Sequence, residues 1–167
     1  LTGDSIIVSL VNNQVVLALD SAGVSITDLH TSYNARSNVL TITAANAGTI
    51  ASTTPGITVN TAADTIAVNL SKIRGFAGIS VQGGSGTDSV TIGPSGVNLA
   101  AVSRGAASQS FSIDTLAGST DTISIASPIV TKGAGSVSLA TAGTGPSNGI
   151  LLAAAVNSSK GSQTFAG

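Results

Sequence analysis

Aliphatic and polar residues alternate in short bursts along this chain. Ile66, Val68 and Leu70 fall on one side of an extended backbone, with Thr65, Ala67 and Asn69 on the other. Val90/Ile92, Phe111/Ile113, Ile123/Ile125 and Val137/Leu139 repeat the pattern. No stretch sustains a 3.6-residue period, so the pattern predicts strands and no amphipathic helix. From Asp64 the strands are organised in cycles: a strand, a basic residue with glycine at a turn, a second strand, then a loop of small residues. The cycle restarts at Asp88 and again, after a longer interval, at Asp121, and Asp4 with Ser-Ile-Ile-Val echoes its opening. A second echo sets Ala101–Phe111 against Ala155–Phe165, with Ala-Val, Ser-Gln and Phe coinciding without gaps.

Upstream of Asp64 the pattern is looser. Residues 3–20 hold two apolar runs around Asn12-Asn13, the signature of a hairpin with a tight turn. Val24–Ile26, Val39–Thr43 and Ile57–Val59 are short strand candidates, Pro55-Gly56 marks a turn, and the polar segment Thr27–Arg36 is expected to be an excursion. The chain therefore divides into an N-terminal β segment with an irregular insertion (1–63) and a repeat-built part of the same domain (64–167). A coil with one apolar row cannot bury it alone. Stacking on its neighbours does so, and the expected fold is an all-β solenoid of imperfect repeats, with an irregular or antiparallel N-terminal part. The unequal repeat lengths keep a β-sandwich as the alternative.

Composition narrows the function classes. The 167 residues are 42 % hydrophobic but only 8 % charged and 2 % aromatic, against roughly 25 % charged in an average domain. Serine, threonine, asparagine, alanine and glycine must cover the surface. A net charge of −1 without a basic run speaks against nucleic acid. The longest apolar run, Gly149–Val156, is far short of the roughly 18 residues of a membrane span. There is no cysteine for disulfides or thiol chemistry. The chain opens at Leu1 without a signal-peptide pattern and stops within a repeat, which reads as a piece of a longer exported polypeptide or a processed mature form.

Gly86–Ile92, Ser119–Ile125 and Gly149–Gly167 resemble very large bacterial cell-surface proteins: the filamentous-haemagglutinin-like and autotransporter-like adhesins, including giant repeat proteins of planctomycete type. The resemblance covers about residues 60–167, and residues 1–20 more weakly. It implies export to the cell surface, a right-handed parallel β-helix, and a role in adhesion or surface architecture. The expected function is thus a non-catalytic structural or adhesive segment of an extracellular protein or filament. Its expected partners are neighbouring repeats or subunits of the same protein, and glycans.

Three constellations bear on chemistry. Gly83, Gly84, Gly86 and Asp88 match the G-G-x-G-x-D-x-U-x nonapeptide, whose carbonyl and carboxylate oxygens suit calcium. In that motif the metal lies between in-register copies, and here the next aspartate to open a cycle is as distant as Asp121. The same residues also make a turn in which Asp88 hydrogen-bonds backbone, and that reading takes precedence. Arg74, Arg104, Lys132 and Lys160 recur at corresponding turns. They form a weak basic stripe for an anionic glycan, or a row of charges that keeps strand edges apart. Asp28, His30, Tyr33 and Arg36 gather a base, a phenol and a guanidinium, the best place for a polysaccharide-active site if there is one. One histidine and no glutamate leave little for acid–base work. No P-loop occurs, one histidine would have to serve any serine triad, and no catalytic residue is assigned.

Overall fold

The computed structural model describes residues 4–116, 120–143 and 145–167, and these form an all-β structure. β1 (Ser5–Val11) and β2 (Gln14–Leu19) make an antiparallel hairpin in which Val11 opposes Gln14. Asn12 and Asn13 close it with φ values of 49° and 64°. A two-residue hairpin turn needs that left-handed pair, and asparagine tolerates it. β3 (Ser25–Asn34) and β4 (Val39–Ala45) form a second hairpin. β5 (Thr49–Ala51) lies parallel to β1, while β6 (Ile57–Asn60) and β7 (Thr65–Asn69) add antiparallel strands beyond β4.

From residue 78 onward every strand pairing is parallel. The strands are β8 (Gly78–Gln82), β9 (Ser89–Ile92), β10 (Val97–Asn98), β11 (Ser110–Asp114) and β12 (Thr122–Ile125). They continue as β13 (Ile129–Val130), β14 (Val137–Ala140), β15 (Gly149–Leu152), β16 (Val156–Asn157) and β17 (Gln163–Ala166). Three sheets result among the described residues. The first has the order β17-β14-β11-β8-β2-β1-β5, the second β15-β12-β9-β3-β4-β7-β6, and the third β10-β13-β16. From β8 to β17 the chain visits first, second and third sheet in strict rotation.

The alternation read from the sequence sets which side chains meet. Val15, Ile79, Phe111 and Val137 oppose one another in the first sheet, as do Leu17, Val81, Ile113 and Leu139. Ile26, Val90, Ile123 and Ile150 do so in the second, and Val97, Ile129 and Val156 in the third. Apart from Ile150 and Val156, which are half-buried, these residues are buried in one continuous apolar core. Such columns favour β-branched side chains, whose restricted rotamers stack well on a pleated surface. The sequence left two all-β arrangements open. What forms has mixed, open sheets, and two seven-stranded sheets closing on one core is an arrangement that fits the sandwich alternative.

Several expectations need correction. Thr27–Arg36 is no excursion, because β3 runs through it to Asn34. Its inward residues are Ile26, Leu29 and Thr31, and the register against β9 shifts between Ile26 and Leu29. One extra residue at this bulge breaks the period of two and hides the strand. Asp64 does not occupy the position of Asp88 and Asp121. It follows a single 3-10 turn (Thr61–Ala63), sits in the left-handed region, and leads into the antiparallel β7. The echo of Ala101–Phe111 in Ala155–Phe165 is not a structural correspondence: Phe111 opposes Val137, whereas Phe165 opposes Leu139, two positions further along. Of the small-residue loop Leu116–Thr120, residues 117–119 lie outside those described, as does Gly3 at the start of the first strand segment.

Candidate functional site

Asp88 stands where the glycine-rich turn enters β9, and it is fully buried. Its Oδ1 accepts the Val24 N–H at 2.9 Å and its Oδ2 the Gly84 N–H at 3.0 Å. At its glycines the turn before it has no room for side chains. A Cβ on Gly83 would run into the Thr115 backbone and the Asp88 carboxylate, and one on Gly86 would strike Gly23. Burial raises the Asp88 carboxyl above its usual 3.8. The Val24 and Gly84 N–H groups oppose that shift, and the charges of Asp121 and Asp20 add to it.

The hydrogen bonding extends beyond one turn. Asp88 N–H donates to Asp121 Oδ1 at 2.9 Å, and Asp121 N–H donates to Asn148 Oδ1 at 3.0 Å. Val24, Asp88, Asp121 and Asn148 thus form one column at the edge of the second sheet. Each side-chain oxygen holds the backbone N–H of the strand entry before it. Asp121 is also fully buried, and its Oδ2 has no hydrogen-bond partner among the described residues. Of the four, sequence reasoning missed Asn148. The signal was a polar residue immediately before Gly149-Ile-Leu-Leu, matching Asp88 before Ser-Val-Thr-Ile.

The calcium expectation can be set against this donor set. Both Asp88 oxygens point at backbone N–H groups, so ligating a cation would require giving those bonds up. Among the described residues no three acidic or histidine side chains gather at metal-binding distance.

Arg74, Arg104, Lys132 and Lys160 all lie in the connections that lead into the first sheet, before β8, β11, β14 and β17 respectively. Three are exposed, while Lys132 is half-buried with its Nζ donating to the Val102 carbonyl at 2.8 Å. They share a corner but not a register. Lys160 N–H donates to the Gly133 carbonyl, one position beyond Lys132, whereas Lys132 itself pairs with Gln109 rather than Arg104. None of the four contacts a carboxylate among the described residues.

The Asp28–Arg36 cluster is divided by its strand. Asp28 and His30, two apart, share the outward face of β3, where Asp28 Oδ1 lies 2.9 Å from His30 Nδ1. Tyr33 has the opposite parity; its hydroxyl donates to Asn38 Oδ1 at 2.9 Å and lies 3.3 Å from Ser103 Oγ. Arg36 is exposed in the turn after β3. No cavity opens among the described residues. The Asp28–His30 pair lies on an open strand face and encloses nothing.

No protein-family model, curated protein or solved structure matches this chain.

Proposed function

We propose that this chain is a β-solenoid segment of an extracellular bacterial surface or filament protein, working as a non-catalytic spacer with an adhesive face. The observation that carries the reading is the three-sheet rotation. From β8 onward parallel neighbours stand one turn apart in every sheet, with Ser80 under Ser112 and Ser89 under Thr122. A right-handed parallel β-helix has that connectivity, and the N-terminal hairpins close its first end with antiparallel strands. Such a rod does mechanical work. Backbone hydrogen bonds run along its axis, aliphatic columns fill it, and a surface of small hydroxylated residues covers it.

The partner follows from the other end. β15, β16 and β17 are edge strands, and Leu152 and Phe165 are 47 % and 41 % exposed. No charged residue or proline guards those three strands. A further coil of the same kind, from a neighbouring repeat or subunit, is the occupant that fits. The exposed Arg74, Arg104 and Lys160 favour a second reading, in which that corner holds anionic glycans.

Immunogold labelling of intact source cells tests the surface role. Label on unpermeabilised cells is expected, and label appearing only after permeabilisation would overturn the assignment.

A further inference from the structure

The column of hydrogen-bonded polar residues ends in an unusual dipeptide. Asn148-Gly149 is the one Asn-Gly step in the chain. In an unconstrained backbone this step is reactive, because glycine has no Cβ to shield its nitrogen. The Gly149 nitrogen loses its proton and attacks Asn148 Cγ. The Cγ–Nδ2 bond then breaks and ammonia leaves. Water opens the resulting succinimide to aspartate or isoaspartate, with no oxidant or reductant involved.

Three hydrogen bonds stand against that reaction here. Gly149 N–H donates to the Asp121 carbonyl at 3.0 Å, which occupies the nucleophile. Asn148 Oδ1 accepts the Asp121 N–H at 3.0 Å, and Asn148 Nδ2 donates to Thr141 Oγ1 at 3.2 Å. Together they fix the amide so that Cγ cannot swing onto the nitrogen. All three bonds belong to the segment that leads into β15. Among the described residues β15 pairs with β12 alone, and β17 is exposed throughout. Opening is least costly where buried contacts are fewest.

We infer that Asn148-Gly149 is a self-modification site, locked while these three hydrogen bonds are closed and released when the β15 segment opens. The product does not restore the lock. It lacks the Nδ2 donor for Thr141 and brings a third carboxylate onto a column where Asp121 Oδ2 is already buried without a partner among the described residues. An isoaspartyl link also lengthens the backbone by one atom and shifts the β15 register against β12. A turn that has reacted therefore stays open. This inference rests on the hydrogen bonds around residue 148 and not on the surface role, and a further coil seated on β15 would strengthen the lock.

The test is isoaspartate formation at residue 148, read by peptide mass mapping of the full chain held at mildly alkaline pH with and without denaturing urea. The native rate is expected to be at least about tenfold below the rate in urea. Thr141→Val should raise the native rate severalfold and leave the rate in urea unchanged. Equal rates in the two conditions, no reaction in urea, or a native rate indifferent to Thr141→Val would each overturn the inference. Hydrogen exchange of the Gly149 amide in the unsubstituted protein gives a check that needs no variant. Its protection should match the slowing of the reaction, and an unprotected amide would contradict the lock.

Discussion

Phe111→Ala should lower the free energy of unfolding by about 3–5 kcal/mol, the cost of emptying a large buried site that its surroundings cannot refill. Phe111 is 1 % exposed and lies between Ile79 and Val137 in its column. Both neighbours are held in backbone register, so neither can move into the space left behind. Phe165, its counterpart in the sequence echo, is 41 % exposed on the terminal strand. Phe165→Ala should cost less than about 1 kcal/mol, since little apolar area is removed from water there. Urea titrations of the two variants give the comparison as a difference in midpoint at constant slope. Similar losses would mean that the column does not pack as described.

Asp88→Ala is expected to cost about 2–5 kcal/mol, because it leaves the Val24 and Gly84 N–H groups without their acceptors in or near the interior. Asp88→Asn keeps an oxygen for one N–H but turns an amide donor toward the other, and should cost less. The two variants also separate hydrogen bonding from charge. Burial raises the Asp88 carboxyl above 3.8, so the folded protein holds that proton more tightly than the unfolded chain does. Stability must then fall as pH rises from about 3.8 through the raised native value, and this contribution must be level outside that window. Stability measured across the window should slope downward in the parent and flatten in Asp88→Asn. An upward slope assigned to Asp88 would reverse the account of its environment.

Much of this fold was legible in the sequence because its strands obey a period of two. Val90, Ile92, Ile123, Ile125, Val137 and Leu139 are all buried as their alternation demands. Asn12-Asn13 announced its turn, since few residues other than glycine adopt two consecutive left-handed conformations. What failed was the assumption that like residues occupy like places. The interval from Asp88 to Asp121 is one structural step; Asp64 likewise accepts a backbone N–H, from Asn46, but leads into an antiparallel strand. The residue beside Val24 in that column is Asp88 itself, far along the chain. The chain between them is taken up by hairpins, whose short connections force antiparallel pairing. The bulge in β3 disguised a strand as a polar loop. Neither event changes composition, so neither shows in a reading of residue types.

The same reasoning explains the candidate sites. The glycine-rich turn could be found by motif, yet its carboxylate faces inward, which depends on Val24, a partner remote in sequence. The basic residues recur because the turns recur, but insertions of unequal length shift Lys132 onto Gln109 and interrupt the row.

The proposed stack of parallel turns is tested most directly by cysteine pairs, in a chain with no cysteine of its own. Ser80 and Ser112 have their hydroxyls 3.0 Å apart, as do Ser89 and Thr122. Adjacent strands at about 4.8 Å lie within the span a disulfide bridges, and strands two apart, at roughly 9–10 Å, do not. Ser80→Cys/Ser112→Cys and Ser89→Cys/Thr122→Cys should each close on mild oxidation, while Ser80→Cys/Ser138→Cys should keep free thiols. Closure of the third pair, with the first two remaining reduced, would contradict the stack.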